Sequence, residues 1–245
     1  MRPTCLRCLR PGPFCVCQAL APAHSRTRVV ILQHPREARL AICSAWLTRL
    51  ALANAEIRRG VRFDPETSLS EARRPGTALL YPGEGSAPAA ERASSPPPVL
   101  FVVDGTWTQA EKMLRENPVL ASLPRLSVDA GRPSGYGALR REPGRVHLST
   151  LEAVALALGA LERDAARFAP MIEAFHRQVE LQLDCARGGR RRPRHRRPLA
   201  DGAAGTLAPA ATADDGDEGG PGGPPSAPRG LGEEPPARRT GNGGD

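Results

Sequence analysis

The sequence is poor in lysine, in aromatic side chains and in long apolar runs. Its 245 residues are 4% aromatic and include a single lysine, Lys112. No stretch approaches the roughly 18 consecutive apolar residues of a membrane helix, and the first residues lack the apolar segment of a signal peptide. We therefore expect a cytoplasmic protein with no membrane partner. The absence of a G-x-G-x-x-G loop also disfavours a Rossmann-type cofactor site.

Positive charge is carried almost entirely by arginine. The net charge is +8 and the isoelectric point is near 9.9, which favours a polyanionic partner such as RNA. Seven arginines and no acidic residue lie between Arg187 and Arg197, and the chain beyond is rich in Gly, Pro, Ala and Asp. Residues 187–245 are therefore predicted to be a disordered tail, basic and then acidic. The basic part is either an arm that contacts RNA phosphates or a solvated solubility tail.

Four cysteines are concentrated near the start of the chain. Cys5, Cys8, Cys15 and Cys17 have the spacing C-x2-C-x6-C-x-C. Four thiolates satisfy tetrahedral zinc, and paired cysteines in a reducing compartment favour a metal over disulfides. Residues 1–24 are therefore predicted to form a head that binds structural Zn²⁺, with reduced thiols or a redox switch as the alternatives. Cys43 and Cys185 are interpreted as ordinary thiols on helices.

Strand and helix patterns alternate over residues 25–186, which predicts one α/β domain with a mainly parallel sheet and flanking helices. Predicted strands lie at 28–33, 58–63, 77–81, 99–103 and 126–128. Predicted helices lie at 38–53, 107–116, 149–162 and 166–183, with a loop at 84–98. Ser149 and Glu152 have the spacing of a capping box.

The stretch 99–114, VLFVVDGTWTQAEKML, is the most informative segment. An apolar strand ends in Asp104, and Thr106 and Trp107 follow at the start of a helix. Open α/β sheets bind ligands at the carboxyl ends of their strands, so these three side chains are candidate catalytic residues. Asp104 is either a proton acceptor or a group that binds a cationic ligand, and Trp107 can stack on a nucleobase. The purely structural alternative makes Asp104 a helix cap and Trp107 a core anchor.

Asp104, Thr106 and Trp107 also resemble the D-x-T-W signature of the DTW-domain family. Four other blocks follow the order of that family: CLRCLRPGPFCVC at 5–17, QHPRE at 33–37, LLYPGEGS at 79–86 and LSTLEAVALAL at 148–158. The family is similar to tRNA-uridine aminocarboxypropyltransferases, which move the 3-amino-3-carboxypropyl group of S-adenosylmethionine onto N3 of a uridine. It is also similar to SPOUT-type RNA-modifying enzymes. That resemblance implies a SPOUT-like α/β fold. The C-terminal chain of SPOUT-type enzymes threads a trefoil knot, and a knot in this chain would lie around residues 126–165.

The resemblance implies further site residues. The cofactor S-adenosylmethionine is expected to contact a set drawn from three blocks: His34, Glu37, Tyr81, Pro82, Ser149, Thr150 and Glu152. For Ser149 and Glu152, a helix start is the competing explanation. Arg140 and Arg141 suit RNA phosphates or the cofactor carboxylate, and a salt bridge explains them equally well.

Three functions remain open from the sequence. The leading one is transfer of the aminocarboxypropyl group to a tRNA uridine. The related bacterial enzymes act on the variable loop, so the same loop is expected here. The second is a zinc-containing RNA-binding module without catalysis, which would tolerate loss of Asp104. The third is a SPOUT-like RNA methyltransferase, which would release S-adenosylhomocysteine rather than methylthioadenosine.

Overall fold

A computed structural model describes residues 3–8, 10–40, 43–129 and 148–187. The strands are β1 Arg28–Gln33, β2 Ala55–Arg59, β3 Ala78–Leu80, β4 Ala87–Pro88, β5 Val99–Asp104 and β6 Arg125–Ser127. The α-helices are α1 Ser44–Ala51, α2 Trp107–Glu116, α3 Pro118–Ala121, α4 Thr150–Glu162 and α5 Ala165–Arg187. Short 3-10 helices occur at Gly12–Phe14, Cys17–Ala19, Glu37–Arg39, Ser70–Arg73 and Ala89–Arg92.

The six strands form one sheet in the order β2-β1-β5-β3-β6-β4, and every paired neighbour is parallel. The predicted α/β class with a mainly parallel sheet is confirmed. Strand β5 lies between β1 and β3, although both precede it in the sequence. Residues that follow β1, β3 and β5 therefore meet at one carboxyl edge, where ligands bind in open α/β sheets.

Side chains alternate between the two faces of the sheet along each strand, and both faces are buried. Ile31 and Leu100 lie on the face that packs against α1, α4 and α5. Leu32 and Phe101 lie on the other face, where they meet a cluster that includes Met113 of α2. Strands β1 and β5 are therefore apolar along most of their length because both of their faces are buried. Their packing fixes the position of the carboxyl edge.

Several predicted boundaries are wrong. The predicted helix at 38–53 is a 3-10 turn at Glu37–Arg39 followed by α1 at Ser44–Ala51, because the backbone at Leu40 is extended and ends the turn. The predicted strand at 58–63 is β2 at Ala55–Arg59, which pairs in register with β1. The predicted loop at 84–98 contains β4 and the 3-10 helix Ala89–Arg92.

Two predicted helix boundaries agree closely with the structure. Helix α2 has the predicted bounds, and α4 ends at the predicted residue. Within the described residues, no helix is long and apolar enough to cross a membrane. The region predicted to be knotted includes residues 130–147, which lie outside the described residues, so the knot stays a prediction.

Candidate functional site

Three polar side chains stand in one row at the carboxyl edge of the sheet. Gln33 is the last residue of β1, and it pairs in register with Arg59 of β2 on one side and Asp104 of β5 on the other. Each residue ends its strand, so the three side chains extend past the apolar part of the sheet. Parallel register therefore brings together residues that are 26 and 71 positions apart from Gln33 in the sequence.

Gln33 links the row through hydrogen bonds. Its side chain is 1% exposed. Arg59 Nε donates to Gln33 Oε1 over 3.3 Å, and Gln33 Nε2 donates to Asp104 Oδ2 over 2.8 Å. Gln33 Nε2 also lies 3.1 Å from Cys43 Sγ. Arginine only donates, so Arg59 fixes the amide orientation and directs the Gln33 NH₂ group at the carboxylate.

Asp104 is held from a second direction by α4. The Thr150 hydroxyl donates to Asp104 Oδ1 over 2.5 Å. The Asp104 backbone carbonyl accepts from the His34 N–H over 2.9 Å. Both carboxylate oxygens thus serve as acceptors, one toward β1 and the other toward the first residue of α4. Asp104 is buried, with 8% of its surface exposed, and it lies at the carboxyl edge because it is the last residue of β5.

The N-terminus of α4 is a capping box, as the sequence predicts. Glu152 N–H donates to Ser149 Oγ over 3.2 Å, and Ser149 N–H donates to Glu152 Oε2 over 2.9 Å. Glu152 Oε1 also lies 3.8 Å from His176 Nε2 of α5. The box fixes the start of α4 and so positions Thr150 against Asp104.

His34 immediately follows β1 and is joined to Asp104 through the backbone. Its Nδ1 accepts from the Arg36 backbone N–H over 3.2 Å, which places the proton of the neutral ring on Nε2. Burial lowers the pKa of His34, and the positive charges of Arg36 and Lys112 lower it further. Glu37 begins the next 3-10 helix, is buried, and donates its N–H to the His34 carbonyl over 3.0 Å.

Two aromatic rings flank the other side of the edge. Trp107 is 39% exposed and is the first residue of α2, whereas Tyr81 directly follows β3 and precedes the exposed Pro82. Their ring centroids are 5.7 Å apart at an interplanar angle of 65°. Burial raises the pKa of Tyr81, and nearby Glu111 raises it further while Arg125 opposes that effect. The exposure of Trp107 is inconsistent with the core-anchor alternative.

Thr106, rather than Asp104, caps α2. Thr106 Oγ1 accepts from the Gln109 N–H over 3.3 Å, and the Gln109 side chain accepts from the Thr106 N–H over 2.8 Å. The alternative in which Asp104 serves as the helix cap is therefore wrong. Asp104 instead bridges β1 and α4, a contact that no local sequence pattern would reveal.

The four N-terminal cysteines converge, with all four Sγ atoms within 4.8 Å of one another. Cys5 and Cys17 Sγ are 3.8 Å apart, and Cys8 and Cys15 Sγ are 3.7 Å apart. Sulfurs around tetrahedral zinc are separated by about 3.8 Å, because each Zn–S bond is about 2.3 Å. Backbone N–H groups of Cys8 and Arg7 lower the pKa of Cys5 to about 6. The donor set and its spacing fit a metal ion.

The structure brings predicted site residues together in two groups. His34, Thr150 and Asp104 are joined by hydrogen bonds, and Tyr81 contacts Trp107. Arg140 and Arg141 lie outside the described residues, as does the chain from 188 onward.

Sequence reasoning missed Gln33, Arg59 and Cys43 as site residues. Gln33 ends an apolar strand with a polar side chain, which is the signal that identified Asp104, whereas Arg59 ends the strand AEIRR and carries no such signal. Cys43 was interpreted as an ordinary helix thiol. It precedes α1 and lies against Gln33, and burial, followed by the charge of Asp104, raises its pKa to about 11.

A family model for the DTW domain matches residues 2–183, and the chain belongs to the DTW-domain family. It is 33% identical over 192 residues to tRNA-uridine aminocarboxypropyltransferase 2 of Drosophila melanogaster, covering 75% of this chain and 76% of that protein. The protein of the same name from Macaca fascicularis is 34% identical over 174 residues, covering 66% of this chain and 58% of that one.

A plant relative matches as well. tRNA-uridine aminocarboxypropyltransferase A of Arabidopsis thaliana is 32% identical over 199 residues, covering 66% of this chain and 74% of that protein. This chain therefore aligns with most of the fly and plant proteins but with less than two thirds of the macaque protein. No solved structure matches the chain.

Proposed function

We propose that this protein transfers the 3-amino-3-carboxypropyl group of S-adenosylmethionine to N3 of a tRNA uridine. The observation that carries the proposal is the position of Asp104, fixed by Gln33 and Thr150 at the carboxyl edge beside the exposed Trp107. The names of the fly, macaque and plant relatives support the same reaction.

The reaction is a displacement at carbon. A bond forms between uridine N3 and the γ-carbon of the methionyl chain, and the bond from that carbon to sulfur breaks. The electron pair of the broken bond stays on sulfur, which releases neutral methylthioadenosine. The N3 proton leaves as the new bond forms, so the products are methylthioadenosine, a proton and 3-(3-amino-3-carboxypropyl)uridine.

Asp104 suits either of two tasks in this displacement. Gln33 and Thr150 orient the carboxylate from two directions. In that orientation it would either receive the N3 proton or face the cationic sulfonium or ammonium group of S-adenosylmethionine. Thr106 and Trp107 complete the proposed catalytic group, with the Trp107 indole stacking on the uracil or adenine ring.

S-adenosylmethionine supplies the electrophilic carbon when bound. We assign its contacts to the set that the family resemblance implies, of which His34 and Thr150 hydrogen-bond to Asp104: His34, Glu37, Tyr81, Pro82, Ser149, Thr150 and Glu152. The N-terminus of α4 is the candidate partner for the methionyl carboxylate, because helix N-termini favour anions. Ser149 and Glu152 contribute by fixing that N-terminus in place.

The metal at the cysteine cluster is proposed to be Zn²⁺ with a structural role. Cys5, Cys8, Cys15 and Cys17 would supply all four ligands, which leaves no open position for a substrate. We propose that residues 1–24 form this zinc head, 25–186 the catalytic domain and 187–245 the tail.

The RNA partner is proposed to be tRNA, with the modified uridine in its variable loop and the protein in the cytoplasm. Arg140 and Arg141 are proposed phosphate contacts. The arginines of residues 187–197 would add further phosphate contacts, and deletion of 187–245 would then weaken RNA affinity and lower its dependence on salt.

The direct test is to incubate the full chain with unmodified tRNA and S-adenosylmethionine, and then to analyse the nucleosides and co-product by mass spectrometry. The proposal predicts aminocarboxypropyl-modified uridine together with methylthioadenosine. S-adenosylhomocysteine with a methylated nucleoside would establish a methyltransferase instead. Stoichiometric tRNA binding without any modified nucleoside would establish the non-catalytic module.

A further inference from the structure

Arg125 begins β6, and its guanidinium reaches the aromatic pair at the carboxyl edge, where it forms the outer end of a strip of planar side chains. Its guanidinium carbon lies 5.6 Å from the centroid of the Tyr81 ring. The Tyr81 ring in turn lies edge-on to Trp107, with 5.7 Å between their centroids. One guanidinium, one phenol ring and one indole are therefore contiguous. We call them the Arg125–Tyr81–Trp107 strip.

The sheet brings the strip together from three strands. Trp107 follows β5, Tyr81 follows β3, and Arg125 begins β6, which pairs with β3. The Tyr81 N–H donates to the Leu126 carbonyl over 3.0 Å, which ties the residue after β3 to β6. The strip is thus built on the rigid sheet and starts beside the Asp104 row.

Arg125 differs in its electrostatic environment from two arginines elsewhere in the protein. The half-buried Arg58 pairs with Glu71 over 2.8 Å, and the exposed Arg167 pairs with Glu162 over 2.7 Å. Within residues 3–8, 10–40, 43–129 and 148–187, no carboxylate pairs with the Arg125 guanidinium. A guanidinium packed on a ring keeps its in-plane N–H donors available, and these match the oxygens of a phosphate.

We propose that Arg125 binds a backbone phosphate of the RNA next to the modified uridine, and that the strip is the RNA-entry side of the site. Proteins that bind single-stranded RNA combine stacking rings with cations that contact the backbone. Trp107 receives a base, and Arg125 holds the phosphate of a neighbouring nucleotide. This inference rests on the proposed function, since it names how the same site holds its polymeric substrate.

The experiment compares Arg125→Gln with Arg74→Gln in the full chain. Arg74 is exposed and precedes β3, so it lies toward the opposite, amino edge of the sheet. Arg74→Gln removes one positive charge, as Arg125→Gln does. The affinity for one unmodified tRNA transcript is measured from about 50 to 200 mM salt, a range over which phosphate contacts are readily resolved.

For Arg125→Gln, the slope of log affinity against log salt is expected to fall in magnitude by about 0.7, and affinity near 0.1 M salt by about fivefold. The KM for tRNA should rise in parallel, with kcat and the KM for S-adenosylmethionine unchanged. Arg74→Gln should match the wild type. An unchanged salt slope and an unchanged KM for tRNA in Arg125→Gln would overturn the inference. A change in the KM for S-adenosylmethionine alone would also overturn it.

Arg125→Lys provides a second variant that keeps the charge and the packing of the alkyl stem. It should retain most of the salt slope, because a phosphate still meets a cation. Failure of this inference can be told apart from failure of the proposed function, because tRNA binding is measured without turnover. If tRNA binding depends on Arg125 but no modified uridine forms, the proposed reaction is wrong and the phosphate contact stands. If product forms and Arg125→Gln has the salt slope of the wild type, the reaction stands and the phosphate contact is wrong.

Discussion

Gln33 and Asp104 end neighbouring parallel strands and are joined by a 2.8 Å hydrogen bond from the amide to the carboxylate. Arg59 donates a hydrogen bond to the amide oxygen of Gln33, so the amide nitrogen must face Asp104. Thr150 completes the arrangement from α4. The catalytic candidate is therefore oriented by side chains from β1 and α4, and Arg59 of β2 acts on it only through Gln33.

Replacing Gln33 with Leu should slow transfer while leaving the fold intact. The substitution removes a hydrogen bond to a charged group, which contributes about 1.5–3 kcal/mol, so kcat/KM should fall by roughly 10- to 100-fold. Steady-state kinetics at saturating tRNA would check this, with Gln182→Leu on α5 as the matched control. A turnover equal to wild type would show that Asp104 does not depend on Gln33 for its position.

The Thr106 hydroxyl has a structural task in addition to its proposed catalytic one. Because it caps α2, Thr106→Ala should lower the free energy of unfolding by about 1 kcal/mol, and Thr106→Ser should restore most of it. Urea denaturation would measure this loss. Equal stability of the Ala variant and the wild type would contradict the capping role. Kinetics at a temperature where all three proteins are folded would test the catalytic role separately.

The cysteine cluster should contain one zinc ion per chain. Cys8→Ser should lose the metal, and the head should unfold with it, since four thiolates are needed to complete the tetrahedron. Cys185→Ser is the matched control, because Cys185 lies on α5 and is not a member of the cluster. Elemental analysis of the purified proteins decides the question. Wild-type protein without stoichiometric metal, or Cys8→Ser that retains it, would contradict the zinc head.

The buried His34 should make stability depend on pH. Its pKa in the folded protein is lowered below the ordinary 6.5, mainly by burial, so the unfolded chain binds more protons between those two values. The free energy of unfolding should therefore fall as pH drops below about 6.5. His34→Asn should remove part of this fall, whereas His24→Asn at an exposed position should not. Parallel pH dependence of the wild type and His34→Asn in urea denaturation would be the contrary result.

The local sequence pattern was sufficient to predict the helices and strands whose apolar residues clearly indicate burial. The apolar runs of β1 and β5 and the capping box before α4 were predictable because each depends on residues close together in the sequence. Boundaries failed where tertiary contacts decide them. Strand β2 ends at Arg59 because its register with β1 ends at Gln33, and no periodicity in residues 55–63 indicates this.

The candidate site was only partly predictable for the same reason. Asp104 and Trp107 stand out because they follow directly after an apolar strand. The partners that orient Asp104 are Gln33 and Thr150, which are 71 and 46 residues away and meet it through strand order and helix packing. The cation–ring contact between Arg125 and Tyr81 likewise exists only because β6 pairs with β3.

The role of Asp104 is tested most directly by the amount of aminocarboxypropyl-modified uridine that Asp104→Asn forms, measured by nucleoside mass spectrometry. Asparagine nearly preserves the shape of the side chain but removes its charge, and Glu91→Gln at an exposed position controls for charge loss elsewhere. We expect wild type and Glu91→Gln to modify the tRNA with release of methylthioadenosine, whereas folded Asp104→Asn should form almost no product. Modification by Asp104→Asn at a rate near that of wild type would show that transfer does not need the Asp104 carboxylate.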